Sequence, residues 1–189
     1  SLITMQRSSK DPQSFEDFLN DLQRRIQTMM LFHELLYRSD EIDFVDFRIY
    51  LDRLVSVISS AFKSIPVKIK THIEGCLLNV ETALPLGLIS NEILTNAFKY
   101  AFTDRKEGEI QVELRLIEEE DTDQHNFSHK LTIRDNGKGL PDGFDITKQE
   151  SMGSKIISLL VTQIEGKLSY SGKNGTSYTV LFRDEYDEN

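Results

Sequence analysis

The sequence predicts an α+β protein: a two-layer α/β sandwich, with helices on one face of a mixed sheet, preceded by part of a helical hairpin. Three observations carry this reading. A long apolar stripe with steps of three and four runs through the amino-terminal region, several later segments alternate apolar with polar residues, and a Gly-rich turn joins the last two of them. The order helix, strand, helix, two strands, loop, helix, hairpin packs helices against one side of a sheet. The two parts divide near residue 40, into 1–40 and 41–189.

Taken in order, Asp11-Pro12 is an N-cap followed by proline at the first helical position, where a missing N–H removes no bond. Phe15, Phe18, Leu22, Ile26, Met29, Met30, His33, Leu36 and Tyr37 then paint a stripe suited to a bundle or a coiled-coil hairpin. Ser1 to Ser9 reads as the tail of the preceding antiparallel helix. A second helix, capped by Asp46, should run from Phe47 to Phe62 with Tyr50, Leu51, Leu54, Val55 and Ile58 inward. Val67 to Ile73 has the period of a half-buried strand. Thr82 to Phe102 is helical, Glu109 to Ile117 and Lys130 to Arg134 are strands, and a solvated acidic loop lies between the two strands. After a Gly- and Pro-containing loop come a helix from about Gly153 to Ile164 and a hairpin of Lys167 to Ser171 with Ser177 to Phe182.

Composition narrows the function. The 189 residues suit one compact domain with a helical appendage. No apolar run is long enough to cross a bilayer and no signal segment opens the chain, so direct membrane contact is not expected. The chain starts at Ser1 inside a helix-like pattern, as a fragment would, and its parent could be anchored in a membrane. Cys76 is the single cysteine, which fits a reducing, cytoplasmic setting and reads as a small buried side chain. A net charge of −9 repels nucleic acid, and the phosphates of an anionic ligand would need local neutralisation, for which magnesium is suited.

Four constellations could carry chemistry. In Asn91-Glu92-Ile93-Leu94-Thr95-Asn96-Ala97-Phe98-Lys99-Tyr100, helical spacing puts Glu92, Asn96 and Lys99 on one face while Ile93, Leu94, Ala97 and Phe98 face the core. That is either a plain polar face or a site in which the Asn96 oxygen, a hard ligand, holds magnesium. Asp135-Asn136-Gly137-Lys138-Gly139-Leu140 follows a strand directly and is either a turn or a ligand loop. Ser151-Met152-Gly153-Ser154-Lys155 meets a helix start, where exposed N–H groups favour phosphate. Gly175-Thr176 opens the final strand.

In this order and spacing, the four motifs resemble the N box and glycine boxes of the Bergerat-type ATPase fold shared by histidine kinases, gyrase, Hsp90 and MutL, over roughly Glu81 to Phe182. The run Leu84-Pro85-Leu86-Gly87-Leu88-Ile89-Ser90-Asn91-Glu92, with Asn96-Ala97-Phe98-Lys99-Tyr100-Ala101-Phe102, is similar to the HWE-like, second HisKA class of sensor histidine kinases. Upstream, Arg25 to Tyr37 resembles that class's second hairpin helix and Ser1 to Gln6 the end of its first. The resemblance implies that residues 1–40 belong to a dimerisation and phosphotransfer hairpin and 41–189 to an ATP-binding kinase domain. It implies that Asn96 holds Mg2+, that Asp135 bonds the adenine amino group, and that Gly137, Gly139 and Gly153 shape the pocket and its lid. Lys99, Tyr100, Ser154, Lys155 and Thr176 complete the expected nucleotide contacts. Glu92 and Asn96 are the expected catalytic pair, with Glu92 polarising the attacking group or reaching the metal through water.

The implied activity is transfer of the γ-phosphate of ATP to a histidine upstream of Ser1, then relay to an aspartate on a response regulator receiver domain, within a homodimer built through the hairpin. The fragment itself is not expected to autophosphorylate. His33-Glu34 imitates an acceptor pair, but in the resembled class the acceptor lies on the first helix, and His33 falls on the apolar stripe. His72, His125 and His129 read as surface residues. Ser154 and Lys155 depart from the Gly-Leu-x-Leu pattern usual after the lid, and Phe144 is placed to pack there. Two rivals stand beside the kinase: an ATPase in which Glu92 activates water, and a non-catalytic dimerising module.

Overall fold

The computed structural model describes residues 12–38, 43–62, 66–74, 77–117, 127–141, 143–149 and 151–184. Expectations for Ser1 to Ser9, Cys76 and His125 fall outside them. Helix α1 is Pro12–Arg38, β1 is Phe44–Asp46 and α2 is Phe47–Ala61. Strands β2 (Val67–Ile73) and β3 (Leu77–Asn79) precede helix α3 (Val80–Asn96), which passes into a π turn at Ala97–Ala101. Strands β4 (Gly108–Leu116) and β5 (His129–Asp135), a 3-10 turn at Ile146–Lys148, helix α4 (Met152–Gln163) and the hairpin β6 (Lys167–Ser171) and β7 (Ser177–Phe182) complete the order.

The main sheet runs β2-β4-β5-β7-β6, with β2 and β4 parallel and every other pair antiparallel. This is the expected mixed sheet. One face of β4 supplies Ile110, Val112 and Leu114 to the core, and β5 supplies Leu131 and Ile133. Helices α2, α3 and α4 cover that face and bury Leu51, Leu54, Leu86, Leu94 and Ile157 against it. The other face carries Lys70, Gln111, Arg115 and Lys130 into water. Strands β1 and β3 pair antiparallel in a separate two-stranded sheet, an element too short to announce itself by periodicity.

Local chemistry sets the helix starts. Asp46 accepts from the N–H of Ile49 and caps α2, as its position predicts. Asn79 accepts from the N–H of Glu81 and caps α3. The backbone N–H of Asn79 in turn donates to the fully buried Asp184 carboxylate at 3.1 Å, and the N–H of Asp184 donates to Ser128 Oγ at 3.2 Å. Helices α2 and α3 approach closely because Gly87 leaves room for the Tyr50 ring, which a side chain at 87 would strike.

One placement differs from the expectation. His129 is buried, not superficial, and stacks on the Phe182 ring with centroids 5.1 Å apart. Most of the apolar stripe of α1 turns away from the rest of the described chain, with Phe15, Leu22, Ile26, Met29, Met30 and His33 exposed, while Phe18 lines the cleft and Leu36 packs against the core. A neighbouring face packs instead, with Arg25, Thr28 and Phe32 buried and Phe32 edge-on to Tyr50 at 5.4 Å. Ion pairing makes this polar face buryable, which periodicity of apolar residues does not register.

Candidate functional site

A cleft of about 430 Å³ opens between α3, the loop after β5 and the start of α4, a size suited to a small-molecule ligand. Helix α3 delivers Glu92 and Asn96 from one face, and the π turn carries Lys99 and Tyr100 onward along the same wall. Asp135 ends β5 on the facing wall, and Gly139, Gly153, Ser154 and Thr176 line the rest. The Asn96 carboxamide makes no hydrogen bond among the described residues. Tyr100 is exposed at the rim.

Asp135 is buried and strictly oriented. Its Oδ1 accepts the N–H of Gly137 at 2.7 Å and that of Thr176 at 3.1 Å. Among the described residues Oδ2 takes no hydrogen bond, so this oxygen is left for a ligand donor. Gly137 and Thr176 therefore act through the carboxylate. Beside it, Tyr178 has its phenol pushed up to about 12 by burial, with the charges of Tyr170 and Asp135 adding to the effect. It stays a neutral donor at physiological pH.

The loop after β5 is pinned to the end of the N-box helix. Lys138 N–H donates to the Ala101 carbonyl at 3.0 Å, and Arg105 donates to the Gly137 carbonyl at 3.2 Å. Gly139 has φ +81° and lies against the Gly172 carbonyl, so both conformation and space require glycine. Phe144 packs edge-on to Tyr170 at 5.5 Å, and the Tyr170 hydroxyl accepts from the N–H of Ile146 at 3.1 Å, which ties down the loop that closes this end.

Sequence reasoning missed the contribution of α1. Phe18, Asp21, Arg24 and Arg25 line the cleft. Arg25 grips Glu92 through Nε to Oε1 at 2.6 Å and Nη2 to Oε2 at 3.0 Å, a buried two-pronged ion pair. That pair raises the Arg25 pKa, against the opposing effect of burial. Lys99 Nζ lies 2.6 Å from Asp21 Oδ1, and Thr28 Oγ1 donates to Asn91 Oδ1 at 3.1 Å. The signal was present as a charged trio, Asp21, Arg24 and Arg25, one step around the helix from the stripe. Gly153 matters here too, since a Cβ there would come within 2.8 Å of Glu92 Oε2.

Of the expected residues, Lys155 is exposed and, like Gly137, does not line the cleft. At the start of α4, Ser151 Oγ accepts the N–H of Ser154 at 3.2 Å, so one of the helix's free donors is already capped. No group of three or more His, Cys, Asp or Glu among the described residues could cage a metal alone. The donors fit a magnesium ion that takes Asn96 as its protein ligand and draws the remainder from phosphate and water, as this ion commonly does.

These features define a nucleotide-site ATPase fold with a helix docked across its mouth, and comparison with known proteins agrees. Residues 81–186 match the family of histidine kinase-, DNA gyrase B- and HSP90-like ATPases, and residues 1–62 match a histidine kinase family. The chain belongs to the former family, in the form found in sensor histidine kinases of the second HisKA class. Blue-light-activated histidine kinase 2 of Erythrobacter litoralis is 28% identical over 164 residues, covering 83% of this chain and 45% of that protein. Sensor histidine kinase PdtaS of Mycobacterium tuberculosis is 25% identical, covering 85% of this chain and 31% of that protein. The chain thus spans less than half the length of these relatives. The solved histidine kinase domain of an Erythrobacter litoralis blue-light-activated kinase superposes with a TM-score of 0.73 at 27% identity, covering 86% of this chain and 74% of that one. Among the described residues, no helix is long and apolar enough to cross a membrane.

Proposed function

We propose that this chain is the catalytic core of a two-component sensor kinase that binds ATP with Mg2+ and passes the γ-phosphate to a histidine lying before Ser1. The observation that carries the reading is the cleft shared by Asn96 and Asp135, with Lys99 on the same wall. Asp135 Oδ2 accepts from the adenine amino group, and Asn96 and Lys99 engage the triphosphate end. When bound, Mg2+ neutralises charge developing on the phosphates. Residues of the chain supply position: the acceptor nitrogen forms its bond to phosphorus as the bond to the bridging oxygen breaks, and ADP leaves. The domain from 41 to 189 acts as the nucleotide-binding part, and the partial hairpin from 1 to 40 joins two copies, with the acceptor on the helix that precedes it. A receiver-domain aspartate on a response regulator takes the phosphate next, in the cytoplasm.

Glu92 serves this chemistry as a polarising or metal-adjacent carboxylate. The test is Asn96→Ala: binding of ATP measured by calorimetry should lose its dependence on Mg2+ and weaken at least tenfold, or about 1.4 kcal/mol. Undiminished, metal-independent binding in the variant would remove the assignment of Asn96.

A further inference from the structure

We propose that α1 is a latch on the nucleotide site, with Asp21 and Arg25 holding the groups that a triphosphate and its metal would otherwise engage. The proposal rests on the nucleotide reading of the cleft. Two ion pairs carry it. Asp21 Oδ1 lies 2.6 Å from Lys99 Nζ and is shared with Arg24 Nη2, so the ammonium on the phosphate wall is already engaged by an anion of the chain itself. Arg25 takes both oxygens of Glu92, at 2.6 and 3.0 Å, and its remaining nitrogen lies 3.1 Å from Met152 Sδ. One guanidinium thereby bridges α3 to the start of α4, at the end of the cleft where Gly153 sits.

Each contact opposes a step of binding. A triphosphate that reaches for Lys99 competes with the Asp21 carboxylate for Lys99 and Arg24 at once. With both oxygens held by a guanidinium, the Glu92 carboxylate must give up a charge-assisted bond before it turns toward a metal-bound water. Neither contact is incidental to a solvated surface: the Arg25 and Glu92 side chains are 9% and 8% exposed, and those of Lys99 and Asp21 19% and 31%.

The two pairs also move as a unit. Asp21, Arg25 and Thr28 occupy successive turns of one rigid helix, and Thr28 is bonded to Asn91, the residue beside Glu92. A displacement of α1 therefore breaks all three contacts together and frees Glu92 and Lys99 at once. This makes α1 an element with two arrangements whose balance the nucleotide shares, which is the physical requirement for coupling between the hairpin and the site. Whatever shifts the hairpin adjusts nucleotide affinity, and by reciprocity the nucleotide loosens the hairpin.

The test compares ATP with adenosine, which reports the base end of the cleft but has no phosphate to meet Asp21. Asp21→Asn keeps the size of the side chain and removes its charge, and Asp21→Glu keeps the charge. By calorimetry, Asp21→Asn should bind ATP about fivefold more tightly, the worth of one partly exposed ion pair, with adenosine affinity unchanged. Asp21→Glu should stay near the unaltered protein, and matching thermal midpoints confirm that each variant is folded. Unchanged or weaker ATP binding by Asp21→Asn, with adenosine still bound, overturns the latch and leaves the nucleotide site standing. Failure of both ligands to bind any of the three proteins overturns the nucleotide reading and the latch with it.

Discussion

At the scale of single residues, Asp135 offers the sharpest separation of binding from stability. Its Oδ1 holds the N–H groups of Gly137 and Thr176, and an asparagine can keep its amide oxygen there. Asp135→Asn then turns an NH2 donor toward the adenine amino donor, a mismatch expected to weaken nucleotide binding by about 1–3 kcal/mol. Titration calorimetry should register the loss while the thermal midpoint stays within a degree or two of the original. Gly139 behaves in the opposite way. With φ +81° and the Gly172 carbonyl against it, Gly139→Ala should lower stability by about 1–3 kcal/mol in a urea melt, whether or not nucleotide is present.

At the scale of elements, α1 and α3 are joined by a buried charge pair whose halves cannot be removed singly without consequence. Arg25→Ala leaves the Glu92 carboxylate buried beside α4 without its partner. We expect urea unfolding to report a loss of about 3 kcal/mol, and Arg25→Met combined with Glu92→Gln to recover most of it. If the single and double variants were equally unstable, the pair would not be what seats the helix.

Elements also differ in how legible they were. Strand β2 begins and ends where the alternation of Val67 to Ile73 predicts, because a pleated strand half in water writes its burial into alternate residues, and β6 and β7 flank the Gly172 to Gly175 turn that marks them as a hairpin. Strands β1 and β3, at three residues each, are too short to establish a period. The end of the long helix was foreseen as regular, whereas Ala97–Ala101 widens into a π turn that carries Lys99 along the cleft wall. The cleft wall of Glu92, Asn96 and Lys99 was readable, since the three are spaced to share a face. The contribution of Asp21 and Arg25 was not, because a buried polar face depends on a partner distant in sequence, 67 residues away for Arg25.

For the molecule as a whole, pH exposes how deeply the phenols are set. Burial drives the Tyr178 pKa from 10.0 to about 12 and raises that of Tyr50, whose hydroxyl is buried without a hydrogen-bond partner. A raised folded-state pKa means that the folded form holds the proton more tightly than the unfolded chain does. The stability it confers is intact below pH 10 and is lost as pH climbs toward 12 and beyond. Thermal midpoints should therefore be level across neutral pH and fall above about pH 10. Tyr178→Phe should make that alkaline fall shallower. Tyr50→Phe should do the same at almost no loss near neutrality, since the hydroxyl it removes has no hydrogen-bond partner among the described residues.

Asp184 fastens the carboxy-terminal end of β7 to the first turn of the helix that bears Asn96, through the Asn79 N–H. The clasp means that a chain cut just ahead of residue 184 would keep all five strands of the main sheet yet let the root of the helix that lines the cleft fray. Fusions and truncations at this end are thus predicted to be felt at the nucleotide, on the far side of the helix from the cut.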